Sequence, residues 1–316
     1  MKEITIQAFA KINLSLDVKG VLDNGYHIVE MVMQQISLHD DITLTWQPAM
    51  GSDPGTGNST LEIKLTTTRG DLPNDRGNLA YRAAELMNEE FPQGGGTLTI
   101  HIDKHIPVAA GMAGGSSNCA AVLHGINQLW GLDLSVAMLN KLGAKLGSDV
   151  PFCVMGQAAA CESLASLKDD PLACHCALAT GTGTDLMPIP GLDAFVALSK
   201  PPIAVSTPEV YRGIDEIEIP AHPNNDELIL GLKEQHNDMI YKNMVNVLEN
   251  YTLKVYPNVV YTKDTIQKLG PSGPTLMSGS GPTVFAICEN KEEADEIASK
   301  MLEVNAESFS VRTTIG

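Results

Sequence analysis

Basic residues are scarce in this chain: 21 Lys and Arg stand against 38 Asp and Glu, a formal charge of −17 at pH 7. With no basic stripe to release counterions, nucleic acid is excluded as an expected partner, and any anionic ligand has to be held by local groups. Long apolar runs are missing as well, which excludes a membrane-spanning helix, and no membrane partner is expected. Cysteine is sparse, six in 316 residues, too few for a disulfide framework. The opening MKEITIQ has neither the apolar core of a signal peptide nor the Arg-rich character of a transit segment. A soluble protein of a reducing, cytoplasmic compartment is the expectation. What the chain does have is 43% hydrophobic content, enough for an ordinary core that is expected to divide between two domains.

The stretch PVAAGMAGGSSN, Pro107 to Asn118, organises the rest. Cys119, Leu123, Ile126 and Trp130 recur after it at helical spacing, so a loop rich in glycine empties into a helix N-terminus. Unpaired N–H groups and the positive end of the helix dipole favour phosphate there, and glycine lets the backbone approach closely. Ser116 and Ser117 add hydroxyls for a phosphate oxygen or for a metal ion riding on it. The stretch is not a Walker loop, for no Gly-Lys-Ser/Thr follows. Nor is it a dinucleotide fingerprint, for Gly111, Gly114 and Gly115 have the wrong spacing. A plain glycine turn capped by serine is the alternative.

Upstream, Ile4, Ile6, Ala8, Ala10, Ile12, Leu14, Leu16 and Val18 alternate along one face of a strand, and Lys11, Asn13, Ser15 and Asp17 along the other. Lys11 and Asn13 therefore point the same way, and they matter only if the phosphate loop covers that face. Asp23-Asn24-Gly25 predicts a hairpin turn, with Tyr26-His27 opening the return strand as a rigid corner fit to meet a planar heterocycle. Strands are expected over 42–46, 61–65 and 98–102, and an exposed loop over 51–58. Asn78 is the expected cap of a helix through Met87, Gly131 the stop of the helix behind the loop, and Ser135 the cap of the next. In GSDVPF, Asp149 stands at a break between elements, where it either caps and turns the chain or is aimed at the phosphate loop. The second half is expected to contain strands at 194–198, 275–277, 283–287 and 309–313. Helices are expected around 228–232 and 239–248, before Gly270 and from Glu292, as in an α+β domain.

Three signatures thus appear in order, AKINLSL, PVAAGMAGGSSN and LMSGSGPTVF. Together they resemble the superfamily of galactokinase, homoserine kinase, mevalonate kinase and phosphomevalonate kinase, which phosphorylate small alcohols. AFAKINLSLDV with DNGYH, NLAYRAAEL, GSDVPF and KPPIAVSTPEVY narrow the likeness to members of the non-mevalonate isoprenoid route, whose acceptor is a methylerythritol carrying a cytidine diphosphate group. The likeness runs over nearly the whole chain. It implies an α+β fold with a ribosomal-S5-like, ATP-binding N-terminal domain over 1–157 and a ferredoxin-like, substrate-binding C-terminal domain over 158–316, the final strand being allowed to return to the first sheet.

The resemblance also implies roles. Asp149 corresponds to the catalytic aspartate that takes the acceptor proton, and Lys11 to the lysine that pairs with it and stabilises charge on the moving phosphoryl group. Pro107, Gly111, Gly114, Gly115, Ser116 and Ser117 correspond to the ATP phosphate loop, with Asn78 and Lys104 towards the adenosine. Mg²⁺ is implied on the ATP phosphates, with Ser117 a candidate ligand. Asn13 and Thr207 correspond to substrate contacts, Tyr26 and His27 to the pair that recognises cytosine, and Tyr211 to an aromatic stacked on the other face of the base, Tyr26 and Tyr211 coming from separate domains. Oligomeric state is not implied.

Two departures stand out. Ala110, Met112 and Ala113 replace glycine or leucine of many relatives, leaving the loop's N–H groups in place. ACESLASLKDDPLACHC, from Ala160 to Cys176, intervenes where relatives run straight into a GTG turn. Cys161, Cys174, His175 and Cys176 invite a zinc reading, but adjacent side chains compete for one tetrahedral ion, and a surface insertion is the expectation. A homoserine- or mevalonate-type kinase is the alternative within the superfamily. A non-catalytic sugar- or nucleotide-binding regulator built on the same fold is the other alternative; it would be expected to lose Asp149 or Lys11, and this chain keeps both.

Overall fold

Alternation builds the first two elements, β1 (Lys2–Val21) and β2 (His27–Pro48), which pair with each other. The turn between them is closed by Gly25 N donating to Leu22 O and Tyr26 N donating to Asn24 Oδ1. Every residue of β1 from Ala8 to Asp17 is buried, so its polar face is covered as fully as its apolar one. The structure is a computed structural model that describes residues 1–50 and 61–315, so the loop expected over 51–58 lies outside the described residues.

Packing divides the chain into two units: Met1–Ala10 with His39–Ile106 and Ala113–Cys174, and Lys11–Leu38 with Pro107–Met112 and His175–Gly316. The units interleave because β1 and β2 are long enough, at 20 and 22 residues, to give one end to each. A single cut after Gln157 does not describe this packing.

In the first unit β4 (Gly96–Asp103) lies parallel to β3 (Leu61–Thr67) and antiparallel to the far half of β2. Four helices follow the expected punctuation. Asn78 Oδ1 accepts from Ala80 N at the start of α1 (Leu79–Glu90), and α2 (Gly114–Trp130) ends at Gly131 in the left-handed region. Ser135 caps α3 (Val136–Ala144), and Pro151 sits in the first turn of α4 (Val150–Ala160). α2 is buried on nearly every side, and its buried polar residues Ser117, Asn118, His124 and Asn127 are hydrogen-bonded.

The segment after α4 corrects an expectation. Rather than a surface insertion, it is a 3-10 stretch (Glu162–Leu167) and a turn pinned by buried Cys161, Leu164 and Cys174. Cys161 Sγ donates to Gln7 O at 3.2 Å, Cys174 N donates to Met155 O at 3.3 Å, and Asp170 accepts from Val136 N at the head of α3. Apolar side chains spaced between the polar ones give the segment an inner face.

In the second unit the near half of β2 pairs with β5 (Cys176–Thr180), which pairs with β6 (Asp185–Pro188), both antiparallel. A separate antiparallel sheet has the order β10-β7-β9-β8, from β7 (Phe195–Lys200), β8 (Thr275–Met277), β9 (Val284–Cys288) and β10 (Glu307–Arg312). Helices α5 (Thr207–Ile214), α6 (Asn225–Glu234), α7 (Asn237–Asn243), α8 (Glu249–Val255) and α9 (Pro257–Lys268) join β7 to β8. α10 (Lys291–Met301) joins β9 to β10, which completes the split β-α-β of a ferredoxin-like sheet. β10 pairs with β7, and Thr313 beyond it bridges Ile36 of β2.

One helix is shorter than its periodicity predicts. The run expected over 239–248 stops at Asn243 because Val245 O accepts from Leu16 N and Val247 N donates to Leu16 O, each at 2.9 Å, so β1 takes that backbone as a bridge.

Candidate active site

In the first unit the residue before α2 is Ala113, at φ 58°, and no side chain caps the helix. The first-turn N–H groups of Gly114, Gly115 and Ser116 are therefore not spent on a cap, while Ser117 N already donates to Ala113 O. A Cβ on Gly114 would meet Lys104 Nζ at 3.0 Å, whereas one on Gly115 would meet nothing closer than 3.9 Å. Space is open beside Gly115, while Gly114 is hemmed in by Lys104 and Ile106.

Several expected ligands also make hydrogen bonds within the protein around this turn. Buried Asp40 accepts from Lys104 Nζ, His105 N, Ile106 N and Asn118 Nδ2, each at 2.7 Å, and Lys104 Nζ also donates to Ile106 O. Asp40 thus ties the end of the strand before the loop to the helix after it, and Lys104 braces that carboxylate. Ser117 is buried, its hydroxyl donating to Phe9 O at 2.7 Å while Gln157 Nε2 bonds its Oγ and its carbonyl. With its hydrogen committed and no surface, Ser117 does not suit Mg²⁺. Ser116 is half-buried and approaches Gly147, its Oγ 4.0 Å from where a Cβ there would stand. Asn78 is occupied as well, bonding Ala80 N and Pro73 O.

That proximity brings the loop's helix beside GSDVPF. Asp149 occupies the N-cap position of α4 and is half-buried, yet its side chain makes no cap hydrogen bond. A carboxylate held by backbone at a helix start without capping it is free for other work. Among the described residues no three His, Cys, Asp or Glu side chains gather as metal ligands.

In the second unit Lys11, 4% exposed, donates from Nζ to Asn13 Oδ1 at 2.7 Å, and Asn13 Nδ2 donates to Met31 Sδ. The first half of the glycine loop lies on this strand, since Lys11 N donates to Met112 O at 3.2 Å; Pro107 is buried at its head. Gly111, at φ +72°, accepts at O from Ser278 Oγ, and a Cβ on it would overlap the Ser278 carbonyl oxygen and stand 2.9 Å from that of Gly281. Glycine is obligatory where two glycine-containing loops meet. The second loop is steadied by Asn246 Nδ2, which donates to Met277 O and Gly279 O at 2.8 Å, a tie no local sequence pattern announces. Further along the polar face, Ser15 Oγ donates to Asn225 Oδ1 at 2.6 Å.

Tyr26, His27 and Tyr211 all belong to this second unit rather than to separate domains, because His27 opens the half of β2 that the unit contains. Tyr26 is 65% exposed. The Tyr211 ring packs on His27, centroids 4.8 Å apart and tilted 43°, and His27 Nε2 bonds both carboxylate oxygens of Asp215 at 2.9 and 3.0 Å. Thr207 at the head of α5 shares a hydrogen bond with Ser280 Oγ at 2.8 Å. Asp215, like Asp40 and Asn246, was not expected. Its one signal in the sequence is its place four residues after Tyr211, as Tyr211 lies four after Thr207.

The chain matches the family models described as GHMP kinases N terminal domain, over residues 78–157, and GHMP kinases C terminal, over 226–307. It is 43% identical to the 4-diphosphocytidyl-2-C-methyl-D-erythritol kinase of Alkaliphilus metalliredigens, over 92% of this chain and 89% of that one. To the enzyme of that name from Geobacillus kaustophilus it is 42% identical, over 98% and 96%. A crystal structure of 4-(cytidine 5'-diphospho)-2C-methyl-D-erythritol kinase superposes with a TM-score of 0.74 at 27% identity, covering 99% of this chain and all of the other. With likeness of sequence and of fold spanning both units, the chain belongs to the 4-diphosphocytidyl-2-C-methyl-D-erythritol kinase family of the GHMP kinases.

Proposed function

We propose that the chain transfers the γ-phosphoryl group of ATP to the 2-hydroxyl of 4-diphosphocytidyl-2-C-methyl-D-erythritol, a step in isoprenoid precursor synthesis. Asp149 takes the proton of that tertiary alcohol as the bond to phosphorus forms, a task a positioned carboxylate performs at an ordinary pKa. Lys11, oriented by Asn13, stabilises the charge that develops on the transferring group. The N–H groups of Gly114, Gly115 and Ser116 hold phosphate oxygens, and Gly111 keeps the loop in shape. Mg²⁺, when bound with ATP, neutralises phosphate charge, and Ser116 is the loop hydroxyl left to meet it. Lys104 and Asn78 act at one remove, by fixing the elements around the loop.

The observation that carries the choice of acceptor is the cluster at the start of β2 and on α5: exposed Tyr26 beside His27, with Tyr211 packed on the imidazole. A homoserine or mevalonate acceptor has no use for a histidine set among aromatic rings, whereas a pyrimidine offers a face to stack and an edge to bond. Tyr211→Ala is therefore expected to raise KM for the cytidine substrate roughly 5- to 150-fold, the worth of one base–aromatic stack, with KM for ATP barely moved. Equal KM values for variant and wild type contradict the assignment of this cluster to the base.

A further inference from the structure

We infer that Asp215 is a positioning residue for base recognition: it holds His27 in the tautomer whose Nδ1 is a bare acceptor, and thereby selects a pyrimidine that offers an amino group. The inference rests on the proposed reading of His27 as a contact to the base. Helix α5 presents Thr207, Tyr211 and Asp215 at intervals of four residues, one above another on a single face. Asp215 is the C-cap of that helix. A carboxylate there faces the negative end of the helix dipole, so the needs of α5 do not explain it.

The imidazole does. His27 Nε2 lies 2.9 and 3.0 Å from the two oxygens of Asp215. An ionised carboxylate only accepts, so the hydrogen sits on Nε2, and in the neutral ring Nδ1 is left as a lone-pair acceptor. Nδ1 has no hydrogen-bond partner among the described residues. Tyr211 lies against the ring, and the His27 side chain keeps 9% of its surface, so carboxylate and aromatic together fix its plane. Cytosine carries an amino donor at the position where uracil carries a carbonyl acceptor. A fixed bare Nδ1 pairs with the first and is opposed by the second. Without Asp215 the proton is free to move to Nδ1, and the discrimination weakens.

The test uses the full-length enzyme, with the cytidine diphosphate acceptor and its uridine counterpart as probes. Asp215→Ala is expected to raise KM for the cytidine acceptor roughly 3- to 10-fold, the worth of one hydrogen bond, and to reduce the preference for cytidine over uridine by a similar factor. KM for ATP and the thermal midpoint stay put, because Asp215 stands at an exposed helix end with its side chain 40% accessible. In ¹⁵N NMR of the imidazole, wild type shows the hydrogen on Nε2 of His27 and Asp215→Ala shows a mixture. In a His27→Ala background, Asp215→Ala adds nothing. If His27→Ala raises KM for the cytidine acceptor while Asp215→Ala changes neither selectivity nor tautomer, the inference is overturned and His27 keeps its role. A lowered KM in Asp215→Ala overturns it too, since the carboxylate would then be occupying the base's place. If neither variant affects the cytidine acceptor, the reading of His27 falls and the inference falls with it.

Discussion

A single residue decides between cap and base at the start of α4. Aspartate at that position normally earns its keep by bonding a first-turn N–H, and Asp149 does not. Asp149→Asn is accordingly expected to cut kcat by roughly 10²- to 10⁴-fold, the scale of a missing general base. ATP affinity by calorimetry and the urea midpoint should be close to wild type. Turnover near the wild-type rate refutes the proposed role. The two loop serines separate in the same way. Ser117→Ala strips the Phe9 carbonyl of its hydroxyl donor and Gln157 of one of its two bonds, an expected loss of about 1–3 kcal/mol in stability, whereas Ser116→Ala should spare stability and lower kcat. His124 supplies a pH dependence. Buried on α2, with Nε2 bonded to Val154 O at 2.9 Å and Nδ1 unpartnered among the described residues, it has its pKa pushed down to about 4 by desolvation. Its folded pKa is depressed, so the unfolded chain takes up the proton first. The contribution of neutral His124 is full above pH 6.5 and is lost as pH falls towards 4, on the order of 3 kcal/mol in all. Urea midpoints between pH 7 and 4.5 should fall more steeply for wild type than for His124→Gln; parallel curves contradict the assignment.

Elements were legible where a side chain bonds its own backbone. Asn78 and Ser135 begin helices, Gly131 ends one, and the loop from Pro107 empties into α2, all from local chemistry. Partners distant in sequence were not legible: Asp40 reaches Asn118, Asn246 reaches Gly279, and Asp215 reaches His27 across 188 positions. The same holds for the segment from Ala160 to Cys176, whose Leu164 reads as an ordinary loop residue until its burial is seen. Leu164→Ala is expected to cost about 2–5 kcal/mol in chemical unfolding, as for a core leucine, and excision of the segment to destabilise the protein further. A cost below about 0.5 kcal/mol restores the picture of a surface insertion. At Gly111, alanine has to move the Ser278 carbonyl as well as bear a left-handed φ, so Gly111→Ala should weaken ATP binding far more than Gly115→Ala.

Over the whole molecule, a chain of formal charge −17 is proposed to bind two phosphorylated ligands, which only local fields permit. An uncapped helix start and a buried lysine supply them without altering the global balance. Among the described residues no helix is long and apolar enough to cross a membrane. Acceptor specificity is where the proposed function is most exposed to test. Binding energy from the cytidine end is proposed to position a hydroxyl far from it, so acceptors lacking that end should lose kcat as well as affinity. The most direct measurement is ADP release with ATP and Mg²⁺, comparing 4-diphosphocytidyl-2-C-methyl-D-erythritol with free methylerythritol, homoserine and mevalonate. Rapid turnover of the cytidine substrate and poor turnover of the other three is the predicted result; homoserine or mevalonate proving the better acceptor would contradict it.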